Sequence, residues 1–157
     1  MAARSSAAVE DARELTLTRV FDAPRALVFK AWTQPEHISR WWGPHGFTVF
    51  ECQIDLRVGG GWYIRMGSAP NQMARQRGII REIIAPERLV FTYAFEDEAG
   101  TRGHETIVTA AFTDEGGKTL LTLHQAVFES DFMCKDHVRG WGETLERLAD
   151  YLNRNRE

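Results

Sequence analysis

One stretch constrains the fold more than any other. Across residues 131–153, Cys134, Val138, Trp141, Leu145, Leu148 and Leu152 recur three and four residues apart, a single apolar stripe along a helix of roughly 35 Å. A stripe of that length must be laid on a partner. The sequence before it is β-branched and aromatic: FTVFECQIDL, GWYIRM, RGIIREII, RLVFTYAFE, ETIVTAAF and TLLTLHQAV read as successive strands. Turn-forming runs separate them at 58–61, 67–71, 85–87, 98–100 and 114–117. Connections this short favour antiparallel hairpins, because parallel pairing needs long crossovers. The large partner available to the helix is therefore the concave side of a twisted antiparallel sheet.

Ahead of these strands, ELTLTRVF at 14–21 places Leu15, Leu17 and Phe21 on one side at a period of two, a half-buried strand. Asp22 can cap the next segment and Pro24 fits a first helical turn, after which Leu27, Val28, Ala31 and Trp32 share a helical face. A second short helix starts near Pro35 and carries His37, Ile38, Trp41 and Trp42 before Gly43 and Pro44 stop it. Residues 1–13 are small and polar and read as a flexible tail, leaving 14–157 as a single domain. The expected class is α+β: a curved antiparallel sheet of six to seven strands wrapped around a long C-terminal helix, with two short helices after the first strand.

Composition narrows the function. At 157 residues and 43% hydrophobic, the chain suits one domain that folds without staples. With 19 Lys and Arg against 22 Asp and Glu, the net charge of −3 offers nucleic acid or an anionic membrane no general attraction. No window approaches the ~20 apolar residues that span a bilayer, and no early apolar run resembles a signal peptide. The expected setting is the cytoplasm, with Cys52 and Cys134 as free thiols.

Chemistry is sparse. Cys134 and His137 sit three apart on one helix, but two ligands do not make a metal site, so no metal or other cofactor is expected. Gly117-Lys118-Thr119 lacks the earlier glycine of a phosphate loop, and Gly59-Gly60-Gly61 has no helix after it. No Gly-x-Ser-x-Gly elbow appears, and the histidines at 37, 45, 104, 124 and 137 are scattered. Glu96-Asp97-Glu98 reads as a solvated turn. No catalytic residue is assigned.

Several motifs carry a resemblance. Trp41-Trp42-Gly43-Pro44 with Gly46-Phe47-Thr48, Asp55 to Trp62 (DLRVGGGW), Pro86 to Tyr93 (PERLVFTY) and the closing Gly140-Trp141-Gly142-Glu143 with Leu145, Leu148 and Tyr151-Leu152 are similar to the bacterial single-domain branch of the activator of heat shock protein 90 ATPase homologue 1-like family. The resemblance covers about 14–153, with the elements in the expected order. It implies the START-like (SRPBCC, Bet v 1-like) helix-grip fold, which encloses a deep cavity between sheet and C-terminal helix and often holds hydrophobic ligands. The eukaryotic chaperone activators carry an additional N-terminal domain for which this sequence shows no counterpart.

On that fold, strand parity nominates the cavity. Leu121, Leu123, Gln125 and Val127 form the helix-facing side of the last strand, and Phe91 and Tyr93 share a face of another. The helix supplies Phe132, Met133, His137 and Trp141, while Trp41 and Trp42 either form the mouth or wedge under the sheet edge. Gln125, Tyr93 and His137 are the polar groups that would orient a ligand. Gly140 and Gly142 flank Trp141 at about 1 kcal/mol each against Ala, which calls for close packing, a kink, or space left for a ligand. The loop at 67–72 is expected near one cavity wall.

The leading expectation is a protein that binds a small hydrophobic or aromatic ligand without defined chemistry, as a monomer or homodimer. The alternatives are a polyketide cyclase- or hydrolase-like enzyme using His137 or Tyr93 in the same cavity, and an interaction module whose partner is the chaperone.

Overall fold

The chain runs β1 (Ala7–Asp11), β2 (Glu14–Phe21), α1 (Arg25–Thr33), α2 (Pro35–Ile38), β3 (Thr48–Ile54), β4 (Gly61–Ser68), β5 (Gln72–Ile84), β6 (Arg88–Glu96), β7 (Thr106–Glu115), β8 (Lys118–Ala126) and α3 (Asp131–Arg154). These elements come from a computed structural model that describes residues 7–11, 13–69 and 71–154. The strands form one eight-stranded sheet in the order β1-β2-β8-β7-β6-β5-β4-β3, antiparallel throughout. Every strand expected from residue 14 onward is present, and the two short helices follow β2.

The expected tail differs in one respect. Ala7–Asp11 pairs with β2 as an additional edge strand, so the sheet exceeds the expected six to seven strands. Its composition, AAVED, carries none of the aromatic or alternating apolar signal that marks a strand in sequence. Its backbone is recruited by the free edge of β2. Residues 1–6 and residue 12 of that expected tail lie outside the described residues. At α1 the N-cap is Pro24 and not Asp22.

Period-two alternation decides which face looks inward. Leu121, Leu123 and Gln125 of β8 are wholly buried, and they pair with Arg19, Leu17 and Leu15 on one side and Phe112, Ala110 and Val108 on the other. Leu89, Phe91 and Tyr93 continue that face into β6, and Trp62, Ile64 and Met66 into β4. Irregular register between Val49 and Glu51 and between Ile80 and Glu82 marks bulges, which bend the sheet around the helix. At Gly78 a Cβ would lie 1.8 Å from the Thr92 carbonyl oxygen and 2.5 Å from Trp62 Nε1. Only glycine lets the Trp62 indole N–H reach that carbonyl, at 2.9 Å.

α3 lies on the concave face and buries Cys134, His137, Trp141, Leu145, Leu148 and Leu152, the expected stripe with His137 in place of Val138. Among the described residues, no helix is long and apolar enough to cross a membrane.

Candidate functional site

Between the N-terminal half of α3, the turn after α2 and the β4–β5 hairpin, the molecule opens into a cavity of about 760 Å³. That is within the range of ligand pockets, roughly 300–1,000 Å³. Trp42, Gln76, Tyr93, His137 and Trp141 line it, each nearly inaccessible to bulk water. Trp42 arrives from the turn that Gly43 reverses with φ +102°, a backbone conformation that disfavours a side chain. Arg147 fixes that turn from α3: its Nη1 donates to the carbonyls of Trp42, Gly43 and Pro44 at 3.1, 2.8 and 3.1 Å. Burial pushes the Arg147 guanidinium below its ordinary value, and the carbonyl cradle compensates the charge.

The polar groups of this wall are joined in one direction. Trp42 Nε1–H donates to Gln76 Oε1 at 2.8 Å, and Gln76 Nε2–H donates to the Tyr93 hydroxyl at 2.9 Å. The hydroxyl hydrogen then goes to His137 Nε2, 3.1 Å away, which leaves the imidazole hydrogen on Nδ1, donated to the Met133 carbonyl at 2.8 Å. Burial lowers the His137 pKa, opposed by the Met133 carbonyl and the charges of Asp136 and Glu129. Burial raises that of Tyr93, reinforced by Asp136 and opposed by Gln76. Both groups are held neutral.

A second set fixes the indole of Trp141. Its Nε1–H donates to Gln125 Oε1 at 2.7 Å, and Gln125 Nε2–H donates to Thr106 Oγ1 at 2.8 Å. The ring stacks on Trp32 with centroids 5.9 Å apart and meets Trp42 edge-on at 5.4 Å. At the mouth, Arg139 bridges Asp136 at 3.0 Å and Glu143 at 3.4 Å, and His45 Nε2 lies 2.9 Å from Glu146. Ser68, Asn71 and Gln72 form the opposite lip, which places the 67–72 loop on the cavity wall; Pro70 lies outside the described residues.

Of the expected cavity residues, Trp42, Tyr93, His137 and Trp141 are brought together here. The others fall elsewhere. Trp41 is wholly buried in the core with its indole N–H on the Ala31 carbonyl at 3.1 Å, the wedged alternative. Leu121 and Leu123 face the helix but belong to the apolar core, away from the cavity. Gln125 stands behind Trp141. Phe91 lines a separate cleft of about 30 Å³ with Trp62, Ile80 and Cys52, whose thiol burial pushes up to about 11. Met133 packs its side chain against the core and gives the site only its carbonyl. Phe132 is 74% exposed, because two residues ahead of the buried Cys134 it falls on the opposite face of α3 from the apolar stripe.

Sequence reasoning missed Gln76. The β-branched run that marks its strand begins at Arg77, whereas β5 starts at Gln72 and places Gln76 inward with Gly78 and Ile80. An amide two residues ahead of that pair, at the same parity, was the available signal. Gly140 lines the cavity and a Cβ there would only touch Pro44 Cγ at 4.0 Å, while one at Gly142 would meet nothing within 4 Å. Neither glycine is required by packing against the sheet. Among the described residues, no three His, Cys, Asp or Glu side chains group as a metal site would need.

A curved antiparallel sheet gripping one long helix, with a ligand-sized cavity between them, defines a helix-grip protein of α+β class. The chain belongs to the Activator of Hsp90 ATPase homolog 1-like protein family, which it matches over residues 22–153. The AHSA1 protein from Silicibacter pomeroyi is 27% identical, with 89% of this chain and 97% of that one aligned at a TM-score of 0.81. A protein from Arthrobacter aurescens is 25% identical over 96% and 93% of the two chains, with a TM-score of 0.84. A protein from Nitrosomonas europaea shares the fold at 22% identity and a TM-score of 0.77, over 92% and 96%. No curated protein matches this sequence.

Proposed function

We propose that this protein binds a small hydrophobic or aromatic ligand in the cavity between sheet and helix, in the cytoplasm, and that it binds rather than transforms it. The observation that carries this reading is the buried part of the wall: a cavity of about 760 Å³ faced by Trp42, Trp141, Tyr93, Phe95 and Met66, where Trp42, Gln76, Tyr93 and His137 are hydrogen-bonded to one another in a single chain. Such a surface favours an apolar guest without demanding charged partners. A general base needs a lone pair within reach of the substrate, and that of His137 Nε2 is occupied by Tyr93. The family commonly holds hydrophobic ligands, which agrees with this use of the fold.

Native mass spectrometry of the purified protein, compared with the same sample after denaturing extraction, tests the reading. A small organic molecule released only on denaturation is expected. Absence of any such molecule, together with failure of a fluorescent apolar probe to bind, would overturn it.

A further inference from the structure

The charges and donors around the cavity are distributed unevenly, and this bears on which ligands it accepts. An anionic headgroup entering a partly buried site needs a free cation or several unspent N–H donors. The donors of the wall are spent within the protein: Trp42 on Gln76, Trp141 on Gln125, and His137 Nδ1 on the Met133 carbonyl. In the buried part of the wall there remains one amide hydrogen of Gln76, whose Nε2 makes a single hydrogen bond, to Tyr93; the other amides at the cavity are those of Asn71 and Gln72 out at the lip.

The cations are spent as well. Arg139 at the rim is shared between Asp136 and Glu143, and Arg147 is folded back onto three carbonyls. His45 lies against Glu146 at 2.9 Å and Glu143 at 4.0 Å. The carboxylates of Asp136 and Glu143 line the cavity directly, while Asn71 and Gln72 on the opposite lip carry no charge. The field reaching the wall has the same sign: Asp136 acts on both Tyr93 and His137 to favour their protonated forms.

We propose that the cavity selects uncharged aromatic ligands and excludes anionic ones, such as aryl carboxylates and sulfonates, because Asp136 and Glu143 flank its mouth while both nearby arginines and all but one donor of the buried wall are committed to the protein. This selectivity rests on the ligand-binding reading above.

N-phenylnaphthylamine and its sulfonated analogue, anilinonaphthalene sulfonate, share one aromatic body and differ by a single negative charge. Titrating both into the wild-type protein at low salt, by probe fluorescence, is expected to give at least about ten-fold tighter binding of the uncharged probe. The decisive quantity is the change in that ratio in Asp136→Asn/Glu143→Gln, since hydration of the sulfonate alone would leave it constant. It is expected to shrink by about five-fold or more, and to shrink likewise in Asn71→Lys, which adds a cation to the opposite lip without touching an ion pair. A ratio unchanged in a folded variant, or equal wild-type affinity for both probes, would overturn the selectivity while leaving the ligand role standing. Failure of both probes to bind would overturn the ligand role and the selectivity with it.

Discussion

From Leu145 onward, α3 buries Leu145, Leu148, Ala149 and Leu152 in the same apolar cluster as Leu121 and Leu123. One to two turns earlier the same helix sets His137 and Trp141 against a cavity of about 760 Å³ and ties both to the sheet through side-chain hydrogen bonds, His137 to Tyr93 and Trp141 to Gln125. Close packing holds one half. In the other, where van der Waals contact is interrupted, hydrogen bonds and stacked indoles fix the side chains and leave room for a guest. On the proposed ligand role, stability and binding fall to different turns of one helix.

The largest separation of the two halves is expected from Leu148→Ala. Emptying a close-packed site costs about 2–5 kcal/mol, read as a fall in the urea midpoint at unchanged slope, while the folded fraction keeps wild-type affinity for N-phenylnaphthylamine. Tyr93→Phe acts in the other half. It strips His137 Nε2 and Gln76 Nε2 of their shared partner, costs about 1–3 kcal/mol in the same assay, and alters probe affinity as well.

The same hydrogen bonds give a pH dependence. His137 has a folded pKa below its ordinary 6.5, so the unfolded chain binds the proton more readily. Its contribution is fully present above pH 6.5 and is lost as pH falls from there toward the lower folded value. Urea midpoints measured across that window should decline with acidification, and His137→Gln should flatten the decline.

The smallest effects sharpen the boundary between the halves. Gly142→Ala meets nothing within 4 Å and should stabilise the helix by up to about 1 kcal/mol with probe affinity unchanged. Gly140→Ala should give a comparable gain but weaken probe binding, because its methyl group enters the cavity.

Much of this was legible in the sequence, for reasons that differ by element. The inward side of β8 follows from parity for Leu121, Leu123 and Gln125, but Val127, expected on the same side, is 58% exposed because β8 ends at Ala126 and the alternation ends with it. Parity fixes a face but not the position along the strand, so it cannot tell that Leu121 and Leu123 belong to the apolar core and do not line the cavity while Gln125 supports Trp141. Trp41 and Trp42 are identical neighbours, and which one reaches the cavity is decided by the turn at Gly43, anchored by Arg147 more than a hundred residues downstream in the chain. β1 has no local signature because its pairing is supplied by a neighbour's edge. Gln76 is hidden because the β-branched run begins several residues after the strand does, boundaries being the part of an element that local pattern defines least well.

The most direct test of the division between the two halves of α3 is a titration of N-phenylnaphthylamine into wild-type, Trp141→Ala and Leu148→Ala proteins, with folding verified by circular dichroism. Trp141→Ala should weaken binding by about ten-fold or more, as a ligand-facing indole is removed, whereas Leu148→Ala should bind as the wild type does. Wild-type affinity in a folded Trp141→Ala protein, or equal loss in both variants, would contradict the assignment of binding to the N-terminal half of the helix.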